Sequence, residues 1–197
     1  AACINDAVAA AATEILVFTD VRQRLAPGAI RRLVQALKDT SFGAVSGELE
    51  FEDDAPTDFS RGVDLYWRYE KFIRAHEARL DSTVGVTGAI YALRRSCFAP
   101  IPAGLILDDV FVPMQVTRCG KRVGFDSDAV AYDVPSRDAA AERHRKVRTL
   151  AGNWQLVAAE PWLLSPLANR LWWQFVSHKV LRLVAPLFLL ATLVTSA

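Results

Sequence analysis

The sequence has little of what marks a nucleic-acid-binding or a disulfide-bonded protein. Its 23 lysines and arginines are matched by 22 aspartates and glutamates, so it lacks the basic excess that neutralises phosphate backbones, which argues against nucleic acid as a partner. Cys3, Cys97 and Cys119 form an odd, widely spaced set without a C-x-x-C pair, which argues against a disulfide framework and a structural zinc site. The cysteine usage therefore favours a reducing, cytosolic environment.

The two ends of the sequence also lack familiar features. The chain opens with neither an initiator methionine nor a basic-then-apolar signal sequence, and residues 1–12 are rich in alanine, which predicts a helix. We therefore expect the sequence to be part of a longer protein. Residues 183–197 are uncharged and mostly apolar, but a run of 15 residues is shorter than the ~20 that a spanning helix needs. This run predicts a truncated transmembrane helix.

Aromatic and basic residues flank this apolar run as they do at a bilayer surface. The preceding aromatic side chains are Trp162, Trp172, Trp173 and Phe175. The preceding basic residues include Arg143, Arg145, Arg148, Lys179 and Arg182, and the positive-inside tendency places them in the cytosol. We therefore predict a catalytic domain over residues 1–160 and an interfacial and transmembrane segment over residues 161–197, held at an inner or plasma membrane.

Apolar runs alternating with amphipathic segments predict an α/β fold, for which a hydrophobic content of 52% is ample. Residues 14–20 predict a strand buried on both faces of a parallel sheet, with Asp20 at its carboxyl end. Pro27 then opens a helix with an apolar stripe at Ile30, Leu33, Val34 and Leu37. Further strands are predicted over residues 42–51, 89–93 and 121–132, and further helices over residues 59–80, 110–119 and 137–148.

The segments between these elements are also informative. Residues 52–58 are acidic, contain a proline and predict a loop. The helix over residues 59–80 is expected to bury its apolar side chains, which are Phe59, Val63, Tyr66, Trp67, Ile73 and Leu80. Two glycines within residues 85–88 allow backbone to come close to a ligand.

Asp20 is a candidate metal ligand. Ligands of open α/β sheets bind at the carboxyl ends of the strands. A carboxylate at that edge can hold Mg²⁺ or Mn²⁺, and such a cation can neutralise a diphosphate. The alternative is that Asp20 caps the next turn.

Asp108 and Asp109 end a second apolar run. Because they are adjacent they point in different directions, so one carboxylate can act as general base on an acceptor hydroxyl while the other caps or pairs locally. The alternative is an acidic helix N-terminus, which the helix dipole favours.

A basic cluster lies near the end of the predicted catalytic domain and comprises Arg143, His144, Arg145, Lys146 and Arg148. These side chains can steady a diphosphate leaving group, or alternatively lie on anionic lipid. His76 and His178 have no matching ligand set and are expected to be surface or packing residues.

In this order the segments resemble the inverting family 2 glycosyltransferases, the group with the A-type nucleotide-diphospho-sugar transferase fold that includes cellulose, chitin and hyaluronan synthases. Residues 14–22 resemble the strand that ends in the family's D-x-D motif, with Arg22 in place of the second acid. The resemblance implies that Asp20 binds the metal. Thr87 and Gly88 resemble the glycine-containing strand that approaches the donor sugar and acceptor.

Two further motifs of the family have counterparts. Asp108 and Asp109 resemble its E-D segment, which implies that Asp109 is the catalytic base and that Asp108 contacts substrate. Residues 145–149 stand in the place of Q-x-x-R-W, with Arg145 for Gln, Arg148 kept and Thr149 for Trp. Since the Trp contributes to acceptor binding in processive synthases, its replacement argues against a long polymer product.

The resemblance implies transfer of a sugar, with inversion, from a nucleotide sugar, expected to be a uridine diphosphate sugar. The expected acceptor is a carbohydrate or lipid-linked hydroxyl at the cytosolic face of a membrane, with membrane lipids as further partners and Mg²⁺ or Mn²⁺ as cofactor. The family's base-binding first half has no counterpart here, so the isolated chain is expected to be inactive. The alternatives are a metal-dependent phosphoryl or nucleotidyl transferase and a catalytically inactive membrane scaffold.

Overall fold

The computed structural model describes residues 1–52, 58–134 and 138–196, and for residues 58–61, 63, 64 and 66 it describes the backbone alone. The strands are β1 (Ile15–Thr19), β2 (Arg24–Leu25), β3 (Phe42–Phe51), β4 (Ile90–Arg94) and β5 (Arg122–Asp133). The helices are α1 (Ala2–Ala10), α2 (Ala29–Ala36), α3 (Asp58–Leu80), α4 (Asp108–Arg118) and α5 (Ala139–Ala159). A C-terminal helix spans Trp172–Thr195 and contains a π-helical turn at Val176–Val180. The mixed α/β class is as predicted.

The five strands form one sheet in the order β1-β4-β3-β5-β2. Among the described strands only β3 and β5 run parallel, and the other neighbours are antiparallel. The prediction that β1 lies within a parallel sheet is wrong, because β1 pairs antiparallel with β4 and ends the order of described strands. An apolar run indicates that a strand is buried, but it does not indicate whether the neighbouring strand runs parallel or antiparallel to it.

Alternate residues of the sheet face two hydrophobic clusters, as strand geometry requires. Ala44, Tyr91 and Leu93 face the cluster that contains α4. Val45 and Ile90 face the cluster that contains α2. In α4 the residues from Val110 to Thr117 are all buried, and each large apolar side chain buried in this way stabilises the fold by about 1.5–3 kcal/mol.

The predicted helices exist, but two of their apolar faces differ from expectation. In α2 Leu33 is buried, as is Leu37 directly after the helix, whereas Ile30 is 46% exposed. In α3, Leu80 is 78% exposed, and the buried residues of the described part are Glu70 and Glu77. These two glutamates have partners that no local pattern reveals.

Some predictions fall partly outside the described residues. Residues 53–57 of the acidic loop, Arg137 and Ala197 are outside them, as are three side chains of the predicted α3 face, Phe59, Val63 and Tyr66.

The C-terminal helix is 24 residues long and apolar enough to cross a membrane by length and composition. It begins at Trp172, earlier than the uncharged run at residues 183–197. Large apolar side chains of its second half are exposed, namely Leu187, Phe188, Leu189, Leu190, Leu193 and Val194.

Candidate active site

Asp108 and Asp109 form the first turn of α4, and each has a distinct local role. The Oδ1 atom of Asp108 accepts a hydrogen bond from the backbone N–H of Asp109 at 3.1 Å. This bond satisfies one of the amides that a helix N-terminus leaves unpaired. The carbonyl oxygen of Asp109 accepts a bond from the N–H of Val86 at 2.9 Å. The start of α4 is thereby joined to the loop that precedes β4.

The carboxylate of Asp109 is available for chemistry. Its Oδ1 atom is buried and has no hydrogen-bond partner among the described residues. Burial raises the pKa of the Asp109 carboxyl; the positive charges of Lys179 and Arg74 oppose this effect, and the charge of Asp108 adds to it. A carboxylate whose pKa is raised toward the working pH is a better proton acceptor.

Tyr91 of β4 is a site residue that the sequence did not single out. Its ring stacks on Phe18 of β1 with a centroid distance of 4.6 Å. Burial, and then the charges of Asp108 and Asp109, raise the pKa of its hydroxyl, so Tyr91 keeps its proton beside these acids. Its position three residues after Gly88 is the only sequence signal that could have indicated it.

Asp20 directly follows β1 and is exposed. Because Thr19 is in register with Ile90, Asp20 lies at the same end of the sheet as Thr87 and Gly88. Among the described residues its carboxylate has no hydrogen bond or ion pair. Arg22, which replaces the second acid of the motif, lies 3.9 Å from Asp133, measured between Nη2 and Oδ2.

The described residues contain no group of three or more His, Cys, Asp or Glu side chains that could hold a metal ion. A protein-only cage for a cation is therefore not present in this part of the chain. Mg²⁺ bound together with a diphosphate needs only one or two protein carboxylates, since phosphate oxygens and water complete its shell. The unpaired carboxylate of Asp20 fits that mode of binding.

Thr87 and Gly88 connect the acids to the sheet. The N–H of Thr87 donates to Oγ of Ser46 at 3.0 Å, and Oγ1 of Thr87 accepts from the N–H of Ala89 at 3.4 Å. A β-carbon placed on Gly88 would meet nothing within 4 Å. The backbone here faces open space, so a ligand can approach it closely.

Arg145 and Arg148 lie on α5 and are exposed. Arg145 pairs with Glu142 on its own helix. One turn after Arg148, Gly152 packs so tightly that an added β-carbon would lie 2.7 Å from Cγ of Leu107. Residues four apart share a helix face, so Arg148 lies on the face of α5 that contacts the segment leading into Asp108.

The structure therefore gathers Asp20, Thr87, Gly88, Asp108 and Asp109 at one end of the sheet, with Arg148 on the adjoining helix face. Arg145 is engaged by Glu142. Sequence reasoning missed Tyr91, Arg74 and Lys179, which come from three different elements. These three are brought to Asp109 by tertiary packing.

A solved glycosyltransferase has the same fold. The chain superposes on the mannosyltransferase PcManGT from Pyrobaculum calidifontis, solved in complex with GDP-Man and Mn²⁺, with a TM-score of 0.64 and 22% sequence identity. The match covers 80% of this chain and 43% of that chain. No protein-family model matches the chain, and no curated protein matches it in sequence. At this identity the similarity establishes the glycosyltransferase fold of the chain.

Proposed function

We propose that this chain belongs to a membrane-attached, metal-dependent glycosyltransferase of the inverting family 2 type. The observation that carries the proposal is the Asp109 carboxylate. It lies half-buried with an unpaired oxygen, at the end of the sheet where Gly88 is open and Asp20 follows β1. The fold shared with a mannosyltransferase supports this assignment.

In the proposed reaction Asp109 accepts the proton of an acceptor hydroxyl. The hydroxyl oxygen forms a bond to the anomeric carbon from the side opposite the leaving group, and the bond from that carbon to the diphosphate oxygen breaks. The product sugar has inverted configuration, and a nucleoside diphosphate is released. A positioned base of this kind typically contributes roughly 10²–10⁴-fold to the rate.

The other site residues have roles in binding. Asp20 would hold a divalent cation, Mg²⁺ or Mn²⁺, which supplies charge neutralisation for the diphosphate. Gly88 presents open backbone to the sugars, Thr87 holds this segment against Ser46 of β3, and Asp108 fixes the first turn of the helix that carries the base. Arg148, with Arg145, offers positive charge to the departing diphosphate.

The donor is proposed to be a nucleotide-diphospho-sugar, with uridine diphosphate sugars as the first candidates. The structural neighbour was solved with GDP-Man, so guanosine diphosphate sugars form the second set to test. The acceptor is a carbohydrate or lipid-linked hydroxyl. The exposed apolar half of the C-terminal helix supports attachment to membrane lipid, with the catalytic part on the cytosolic side.

The test uses the full-length protein in lipid nanodiscs, supplied with uridine or guanosine diphosphate sugars and a panel of acceptors. We expect sugar transfer that stops on chelation and returns with Mn²⁺ or Mg²⁺, with inversion seen by NMR of the product. Asp20→Asn is expected to weaken donor binding to the level seen with chelator. Release of phosphate or pyrophosphate without sugar transfer would instead indicate a phosphoryl or nucleotidyl transferase. Donor binding without turnover would indicate an inactive scaffold.

A further inference from the structure

The C-terminal helix contributes a cation to the surroundings of Asp109. A β-carbon on Gly85 would lie 3.8 Å from Nζ of Lys179 and 3.5 Å from the carbonyl oxygen of Asp109. The ammonium group of Lys179 and the start of α4 therefore both lie beside Gly85. Lys179 lies in the π-helical turn of the C-terminal helix, a local widening that is frequent at functional sites.

Two glutamates of α3 fix this turn in place through His178, the residue before Lys179. Nδ1 of His178 lies 2.8 Å from Oε1 of Glu77, and Nε2 lies 3.0 Å from Oε2 of Glu70. Both ring nitrogens donate hydrogen bonds when the ring carries two protons. All three side chains are at most 7% exposed, so the contact excludes water.

Glu70 also contacts Arg182 of the C-terminal helix, and Glu77 also contacts the loop that precedes β4. Oε1 of Glu70 accepts a hydrogen bond from Nη2 of Arg182 at 2.6 Å. Oε2 of Glu77 accepts from the N–H of Val84 at 3.1 Å, one residue before Gly85. The C-terminal helix is thereby joined through α3 to the loop whose Val86 binds the carbonyl of Asp109.

Lys179 takes no part in these hydrogen bonds, and its positive charge acts on Glu70 as well as on Asp109. Each oxygen of Glu70 already has a partner in His178 or Arg182. Among the described residues Lys179 forms no ion pair within 4.0 Å. The charged and titratable groups that face Asp109 from the packed elements are Asp108, Tyr91 of β4, Arg74 of α3 and Lys179. Of the opposing effects on the burial-raised pKa of Asp109, that of Lys179 is the largest.

We propose that Lys179 is a positioning residue for the sugar-transfer reaction, through which the C-terminal helix keeps the half-buried carboxylate of Asp109 ionised. The inference rests on the proposed function of Asp109. Asp109 then has its neighbouring cation only when the C-terminal helix is docked on α3. A cation beside a buried carboxylate favours the ionised form that can accept a proton.

The experiment measures kcat and KM against pH for the full-length protein in nanodiscs, comparing the parent with Lys179→Met, Lys179→Arg and Arg182→Met. Without the ammonium charge the pKa of Asp109 rises, so the acid limb of the kcat profile of Lys179→Met is expected to move to higher pH by roughly one unit. Donor KM is expected to stay within about twofold, because the interaction acts on the base. Lys179→Arg keeps the charge and should leave the limb within about 0.3 unit of the parent.

Arg182→Met is the matched control, because it removes a cation of the same helix that pairs with Glu70. Its thermal midpoint should fall while its acid limb stays in place. If Lys179→Met does not fold, Lys179→Gln is compared with Lys179→Arg in the same way. An unchanged limb in an active, folded variant without the charge overturns the role of Lys179 and leaves the proposed function intact. A parent protein without sugar transfer overturns both.

Discussion

Nδ1 of His178 lies 2.8 Å from Oε1 of Glu77, although 101 residues separate them in sequence. This contact, with the second one from His178 to Glu70, attaches the C-terminal helix to α3. Removing one partner of a buried ion pair leaves the other partner as a buried charge without a counterion. The loss of folding stability is then larger than the contribution of the pair itself. The attachment is therefore sensitive to any change at His178.

His178→Ala is expected to destabilise the protein by about 3 to 5 kcal/mol, because Glu70 and Glu77 remain buried without their shared donor. Urea unfolding followed by tryptophan fluorescence measures the loss, since Trp172 and Trp173 lie on the same helix. His76→Ala is the matched control, because His76 is exposed on α3, and it should change stability by less than about 0.5 kcal/mol. Equal effects of the two substitutions would contradict the buried role of His178.

The attachment should also weaken in acid. Burial alone would raise the pKa of Glu70, but the hydrogen bond from His178 and the charges of Lys179, His178 and Arg182 outweigh it, and the pKa falls well below its usual value of 4.5. A lowered pKa gives stability that is fully present above the unfolded value and is lost as pH falls below it. Urea midpoints of the parent and Glu70→Gln should differ by a constant amount above about pH 5, and the difference should shrink progressively as the pH falls from about 4 toward the lowered pKa of Glu70.

A pH-independent difference would show that the Glu70 carboxylate is not the ionised partner of His178. Glu50→Gln serves as control, because Glu50 is 45% exposed and its nearest cation, Lys71, is 4.0 Å away. Its midpoints should follow those of the parent throughout.

The fold was more predictable than the site. The sequence pattern located β3 at residues 42–51 and indicated α3 to within a residue of its start. The pairing of β1 could not be predicted, since strand direction depends on residues distant in sequence. Asp20 and Asp109 could be selected because each ends an apolar run.

The contacts of Glu70 and Glu77 with His178 could not be predicted for a different reason. Charged residues of an amphipathic helix are assigned to the solvent face, so Glu70 and Glu77 gave no sign of burial. Their partner His178 lies about a hundred residues later, in a segment whose composition indicates a membrane helix. Only tertiary packing shows that these side chains contact one another.

Gly152 offers a test of how α5 positions the segment before the base. An added β-carbon would lie 2.7 Å from Cγ of Leu107 and 2.9 Å from Cγ2 of Ile106, both on a stretch that Gln155 also holds by hydrogen bonds to Ile106 and Gly104. Gly152→Ala is expected to cost about 1 to 3 kcal/mol through overpacking.

The measurement for this substitution is the urea midpoint, with donor KM as a second readout because Arg148 lies one turn away. Gly62→Ala in α3 is the control, since a β-carbon there meets nothing within 4 Å. It should stabilise by about 0.5 to 1 kcal/mol, the ordinary gain of alanine over glycine inside a helix. A neutral Gly152→Ala would mean that α5 is not held against this segment.

Asp109→Asn is expected to lower turnover and raise stability at the same time. The amide cannot accept a proton as a base, so kcat should fall by roughly 10²–10⁴-fold with little change in donor affinity. Because burial raises the folded-state pKa of Asp109 above its ordinary value of 3.8, ionisation of this carboxyl costs stability as pH rises through that interval. Asparagine does not ionise, and its stability advantage over the parent should grow with pH and then level off.

Asp108→Asn tests the role of Asp108 separately from that of Asp109, because the asparagine amide oxygen can still accept the hydrogen bond from the N–H of Asp109. This variant should retain most of the turnover. The measurements are kcat with saturating donor and urea midpoints between about pH 4 and 8 in the full-length protein. Loss of turnover in Asp108→Asn with near-normal turnover in Asp109→Asn would transfer the role of base to Asp108. Normal turnover in both variants would place the base outside the first turn of α4. A loss of stability in Asp109→Asn at neutral pH would contradict the stability cost inferred for ionisation of the Asp109 carboxyl.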